Sequence, residues 1–213
     1  MDRRNFIKNT FLTAAGALVG ISAAKAALDA KQSGGKTMKI LVITGSPRKN
    51  GNSNTLVDYF IKGAKDSGHN VVRFDSAFKN VHPCIACNKC GMNGQCVFKD
   101  DFEFVRNNIV DADAVVFATP MYYFGISARI KAVIDRFYAI NGQIHTLKKA
   151  ALIMTYADTS PKEAEPIISH YEALLRYLGW SDAGRIIASG VWTEGDVART
   201  QYPKAAYELG KNI

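Results

Sequence analysis

Residues 114–118, Ala-Val-Val-Phe-Ala, are apolar without a break, and this run constrains the fold more than any other stretch. A strand with one wet face alternates apolar and polar residues, whereas one that is apolar throughout is buried on both sides. Four further short strands are predicted: Ile40 to Thr44, Val71 to Phe74, Ala150 to Thr155 and Arg185 to Val191. Helical spacing separates them. A helix beginning near Asn54 carries Leu56, Val57, Phe60, Ile61 and Ala64 and stops at Gly68. Asp100 or Asp101 caps a second that carries Phe102, Val105 and Ile109. Further helices bury Ile130, Val133, Ile134 and Phe137, then Ile167, Ile168, Tyr171, Leu174, Leu175 and Leu178 before Gly179. Ser160, Pro161 and Glu163 resemble that last helix's start, with Pro166 shifting it later, and Tyr202 to Leu209 form a final short helix. This alternation predicts an α/β fold: a doubly wound, five-stranded parallel sheet with helices on both faces and ligands at the strands' carboxyl ends.

The 213 residues suffice for one substantial core, and 47% hydrophobic with 22% charged residues is ordinary for a globular chain. The formal charge of +8 owes +3 to residues 1–26, where Arg3, Arg4, Lys8 and Lys25 face Asp2. No basic run with interleaved aromatics follows, so no nucleic-acid partner is expected. Residues 1–26 read as an export signal: a basic start, an apolar stretch from Phe11 to Ala24, and Ala24-Lys25-Ala26 as a cleavage triplet. Arg3-Arg4 followed by Asn5-Phe6-Ile7-Lys8 resembles a twin-arginine signal, which implies a periplasmic or otherwise exported protein. The apolar stretch is too short to span a bilayer, so no integral span is expected after signal removal. Residues 27–37, with Ser33, Gly34 and Gly35, read as a flexible tether before a domain covering 38–213.

The first strand runs into Gly45-Ser46-Pro47-Arg48-Lys49-Asn50-Gly51-Asn52-Ser53-Asn54-Thr55, which leads into a helix. Backbone N–H groups at a helix start make an anion cradle. Glycines allow close approach, and Ser46, Asn52, Ser53, Asn54 and Thr55 add donors beside Arg48 and Lys49. The spacing matches neither the triphosphate loop, which needs Lys after the second glycine, nor the dinucleotide fingerprint. A terminal phosphate monoester is the anion expected. After the central strand comes a second strand-to-helix loop, Thr119 with Pro120-Met121-Tyr122-Tyr123-Phe124-Gly125.

These two loops, with Lys131 and Asp135-Arg136-Phe137 beyond, resemble the flavodoxin-like NADPH-dependent FMN reductase family over residues 38–192. The resemblance implies FMN, its phosphate on Ser46, Arg48, Asn52, Ser53, Asn54 and Thr55. Pro120, Met121, Tyr122, Tyr123, Phe124 and Gly125 would line the flavin ring, which suits aromatic walls and a few fixed hydrogen bonds.

All four cysteines fall within residues 81–97, as Cys84, Cys87, Cys90 and Cys96, spaced C-x2-C-x2-C-x5-C. Four soft ligands this close suit an iron–sulfur cluster, a structural zinc, or disulfides in an oxidising compartment. With Val97-Phe98-Lys99-Asp100-Asp101 following, the spacing resembles the iron–sulfur flavoproteins, implying a [4Fe–4S] cluster beside FMN. The twin-arginine route carries folded, cofactor-loaded proteins, so signal and cofactors are compatible. One departure stands out. The glycine-rich third flavin loop of those proteins is replaced by Thr155-Tyr156-Ala157-Asp158-Thr159-Ser160-Pro161, leaving Tyr156 to border the ring.

His69, His82, His145 and His170 share no metal-ligand spacing and read as surface residues, while Asp135 and Arg136 read as ion-pair formers, and no catalytic side chain is assigned. The expected function is an FMN-dependent oxidoreductase passing electrons between a cluster and the flavin, with a small-molecule or protein redox partner. Two alternatives stay open: an NAD(P)H-dependent FMN or quinone reductase with structural cysteines, and a non-enzymatic zinc-bearing interaction module. Family members commonly pair, implying a homodimer or higher homo-oligomer.

Overall fold

A computed structural model describes residues 36–213. The export signal and most of the tether lie outside the described residues. The sheet joins β1 (Lys39–Thr44), β2 (Asn70–Asp75), β3 (Ala114–Tyr122), β5 (Lys149–Thr155) and β6 (Ser181–Ala188) in the order β2-β1-β3-β5-β6, all parallel. A two-residue β4 (Gly125–Ile126) folds back antiparallel on the end of β3. The helices are α1 (Asn52–Asp66), α2 (Phe102–Ile109), α3 (Ala128–Asp135), the single turn α4 (Asn141–Ile144), α5 (Glu165–Leu178) and α6 (Tyr202–Asn212). This is the expected doubly wound, flavodoxin-like fold. The central run is buried on both faces, as its composition requires.

Strand alternation divides the core into two layers. Ile40, Val42, Ala114, Val116, Ala151 and Ile153 face Leu56, Val57 and Phe60 of α1 and Ala206 of α6. Leu41, Ile43, Val115, Phe117, Leu152 and Met154 face the apolar sides of α2, α3 and α5. Helices α1 and α6 meet through glycines. A Cβ on Gly63 would collide with the Tyr207 carbonyl, and one on Gly210 with the Phe60 carbonyl. Gly179 closes α5 at φ 71°, a left-handed conformation that favours glycine.

Four boundaries differ from the sequence expectation. Helix α1 starts two residues earlier than Asn54. Residues 119–122 extend β3 rather than forming a loop, because β5 still pairs beside them as far as Pro120↔Thr155. β1 ends opposite Ala118, and Pro120 lies beyond that limit, where its missing N–H leaves no β1 partner unpaired. The last strand spans 181–188 instead of 185–191. It is an edge strand with an exposed polar start, and a bulge opposite Ala150/Ala151 shifts its register. Helix α6 runs three residues past Leu209.

Candidate functional site

The strand order reverses direction between β1 and β3, and ligands in doubly wound sheets bind outside the strand ends at such a point. Both expected flavin loops leave from these two strands. In the first, the Gly45 N–H donates to the Ala118 carbonyl at 2.8 Å, while Ser127 Oγ donates to the Gly45 carbonyl at 2.8 Å. A Cβ on Gly45 would strike Ser127 Oγ and lie 3.0 Å from Ile130 Cβ, so only glycine fits. Gly51 caps α1 without any side-chain cap bond, and the first turn holds no acidic residue. The first N–H groups of a helix have no partner within it, and the positive end of the dipole lies there. Exposed Arg48 and Lys49 add charge beside it.

The polar side chains of this loop are largely engaged within the protein. Asn52 donates to the Thr193 carbonyl (2.8 Å) and accepts from Val197 N–H (3.2 Å), tying the loop to the segment after β6. Ser53 Oγ lies 2.6 Å from Thr155 Oγ1 at the end of β5. Asn54 Nδ2 donates to the Arg48 and Lys49 carbonyls at 2.8 and 3.3 Å, and Thr55 Oγ1 donates to the Gly51 carbonyl. Ser46, 3% exposed, exchanges hydrogen bonds with the Arg48 backbone. These contacts fix the loop shape, and the bare helix N–H groups with Arg48 are what remains to meet an anion. Arg48 Nη1 also donates to the Trp192 carbonyl at 3.4 Å.

The second loop is a hairpin tip. Met121↔Ile126 and Tyr122↔Gly125 pair, leaving Tyr123 (φ 46°) and Phe124 (φ 62°) as the two turn residues. Two positive φ values are the signature of the turn that suits a two-residue hairpin, normally built from Asn and Gly. Here two aromatics hold it at a cost in backbone strain, and such strain clusters at ligand clamps. Tyr123 is fully exposed, Phe124 and Tyr122 about half, and Pro120, Met121 and Gly125 half-buried behind them. These aromatics are not core. Ser127 N–H donates to Thr119 Oγ1, so α3 starts anchored to both loops.

Tyr156, expected to border the ring, instead lies in the core at 5% exposure, its N–H on the Ala188 carbonyl and its hydroxyl on the Ser160 carbonyl. Beside this loop Gly190, at φ 69°, donates its N–H to the Asp158 carbonyl.

At the far end of α3, Cys84, Cys87, Cys90 and Cys96 line one recess of about 330 Å³, mouth included, with Ile85, Val97, Phe98, Arg136 and Tyr138. All four are free thiols, so no disulfide joins them. Among the described residues, no three or more His, Cys, Asp or Glu side chains converge on a single-ion position. Ala86, Asn88, Gly91 and Met92 have positive φ, and the segment is pinned rather than loose. Tyr138 donates to Asn88 Oδ1 (2.8 Å), Gly142 N–H to Asn93 Oδ1 (2.7 Å) and Arg106 Nη2 to the Gly94 carbonyl (2.6 Å).

The remaining ionisable residues sort themselves. Asp135 pairs with Lys131 on the surface of α3, and Arg136 pairs with Asp100 at 2.8 Å across elements. His69 and His170 are half-buried rather than surface residues. His69 Nδ1 accepts from Met38 N–H, while burial and then Lys131 push His170 below its ordinary value. Ser127 and the Trp192–Val197 segment escaped sequence reading, and Thr155 was named only as a strand end and the start of the third loop. Thr155 and Ser127 carried a usable signal, each standing at a strand end or helix start; the Trp192 segment carried none.

Comparison with known proteins gives the family. Residues 38–188 match the family described as NADPH-dependent FMN reductase. A protein named iron-sulfur flavoprotein from Archaeoglobus fulgidus is 32% identical over 83% of this chain and 79% of its own length. Another of that name from Methanosarcina thermophila is 32% identical, over 52% of this chain and 58% of its own. Among solved structures, the NAD(P)H:quinone oxidoreductase from Methanothermobacter marburgensis superposes with a TM-score of 0.68. That match covers 83% of this chain and 96% of that one at 19% identity, a likeness of fold. With the match spanning the uncapped loop after β1 and the aromatic hairpin after β3, this chain belongs to the NADPH-dependent FMN reductase family and is a flavin-dependent oxidoreductase.

Proposed function

We propose that the protein is an electron-transfer flavoprotein that holds FMN at the β1 and β3 ends and a [4Fe–4S] cluster on Cys84, Cys87, Cys90 and Cys96. One observation carries the cluster reading: all four cysteines of the chain, spaced C-x2-C-x2-C-x5-C, border a single apolar recess. The names of the two iron-sulfur flavoprotein relatives agree with this choice. Membership of a flavin reductase family overturns the non-enzymatic zinc module.

The fit to FMN rests on the uncapped start of α1, the absence of acid in its first turn and the cation on Arg48. The helix N–H groups would take the phosphate, and a side chain at Gly51 would crowd that space, its Cβ 2.9 Å from Arg48 Cβ and 3.0 Å from Ser46 Oγ. Tyr122 and Phe124, each about half exposed, would offer aromatic surface to the ring and would help to exclude water from it. The flavin supplies exchange of one or two electrons, and the cluster exchange of one. The protein's own part is to hold both groups at opposite ends of α3, an eight-residue helix about 12 Å long. The exported location suggested by residues 1–26 belongs with this reading, because that route accepts folded protein with its cofactors in place.

Visible absorption of anaerobically purified protein tests the proposal. Flavin bands over a broad iron–sulfur absorption that bleaches with dithionite are expected, and a Cys90→Ala variant should keep the flavin while losing the broad component. Flavin bands alone in the wild type would favour an NAD(P)H-dependent reductase with structural cysteines.

A further inference from the structure

Arg136 is the most deeply buried charged side chain among the described residues, at 2% exposure, and it lines the cysteine recess. Its guanidinium reaches both flanks of the cysteine segment. Nη1 donates to the His82 carbonyl and to Asp100 Oδ2, each at 2.8 Å. Nη2 lies 3.3 Å from Asp100 Oδ1 and 3.5 Å from the Phe98 carbonyl. The Phe98 and Phe102 rings approach it at 5.3 and 4.8 Å, and His82 stacks on Phe98 at 3.9 Å. One arginine therefore clasps the chain two residues before Cys84 and two residues after Cys96. Its Nε is one of two buried side-chain polar atoms with no partner among the described residues. A buried N–H without an acceptor is costly, and the acceptors that chemistry would bring to this recess are sulfurs.

We propose that Arg136 is the positioning residue of the cysteine-bound centre: it clamps both ends of the cysteine segment and donates its Nε–H to a sulfur of that centre. This rests on the cluster reading above. Hydrogen bonds to cluster sulfurs, and positive charge beside them, favour the more negative, reduced state and so raise the reduction potential. Asp100 offsets the net charge of Arg136, which leaves the directed N–H as the part that tunes. Lysine could keep the charge but could not replace the fork that joins residues 82, 98 and 100 while leaving a further donor free.

The test uses full-length protein purified anaerobically, comparing wild type with Arg136→Lys and with Arg136→Met/Asp100→Asn, which removes the pair without stranding a buried charge. Iron and FMN per chain, melting temperature and the midpoint potential of the iron-linked absorbance are measured. Arg136→Lys should keep FMN and show a reduction equilibrium at least tenfold less favourable, a fall of about 59 mV for one electron. The double variant should keep FMN and lose iron. Loss of iron from Arg136→Lys with FMN retained also supports the clamp. A merely structural arginine would lower the melting temperature and leave the potential in place, and that result, or full iron with unchanged potential in the double variant, overturns the proposal alone. A wild type without iron overturns the cluster reading and the proposal together.

Discussion

Asp100 shows how one side chain can serve three neighbours. Its carboxylate accepts from Arg136, from His82 N–H at 2.9 Å and from Phe102 N–H at 3.2 Å, so it holds the first N–H of α2, whose N-cap residue is Asp101, and fixes the start of the cysteine segment. Burial works to push its carboxyl up, but the Arg136 guanidinium and the two backbone donors outweigh burial and hold it below the usual carboxylate range. A carboxyl depressed by folding adds stability that is fully present above its unfolded value, about 3.9, and is lost as pH falls through the lower folded value. The urea midpoint of wild type should therefore exceed that of Asp100→Asn at pH 6, with the gap narrowing below pH 4. Arg136→Ala leaves the carboxylate buried and unpaired, a loss of about 3–5 kcal/mol by the same measurement. The sequence named Asp100 or Asp101 as a cap and Arg136 as an ion-pair former. It could not show that they were partners, because 36 residues separate them and only the packed fold brings them together.

At the level of elements, the buried parts of the fold were legible and the polar edges were not. Residues 114–118 and 40–43 announced central strands because every position is apolar, and the structure buries both faces of each. The start of β6, Ser181-Asp182, carries no such signal, because an edge strand needs none. The aromatics of Tyr122 to Phe124 were readable as lying outside the core, and they are exposed, but the hairpin was not readable, since Tyr and Phe are poor residues for a turn with two positive φ values. Replacing them by Tyr123→Asn/Phe124→Gly should raise the melting temperature, by relief of about 1–3 kcal/mol per strained residue, while weakening FMN binding measured by flavin fluorescence. Gly63→Ala tests the α1–α6 contact. Alanine favours an isolated helix by about 1 kcal/mol, but its Cβ has no room against the Tyr207 carbonyl. Overpacking costs about 1–3 kcal/mol or more, so a net loss of stability is expected in thermal unfolding.

For the whole molecule, the sheet places the two candidate cofactor regions at the two ends of α3: Ser127 holds the candidate flavin loops together at its start, and Arg136 holds the cysteine segment just beyond its end. Among the described residues no helix is long and apolar enough to cross a membrane. If residues 1–26 act as the export signal, protein recovered from the producing cell's exported fraction should begin at Ala27 by N-terminal sequencing, and substituting Arg3 and Arg4 with lysine should abolish that fraction. The central claim is that one chain carries both a flavin and a cluster. Iron, acid-labile sulfide and FMN measured together on anaerobically purified protein test it most directly. About four irons and four sulfides per FMN are expected; FMN with zinc, or with no metal and no sulfide, would contradict it.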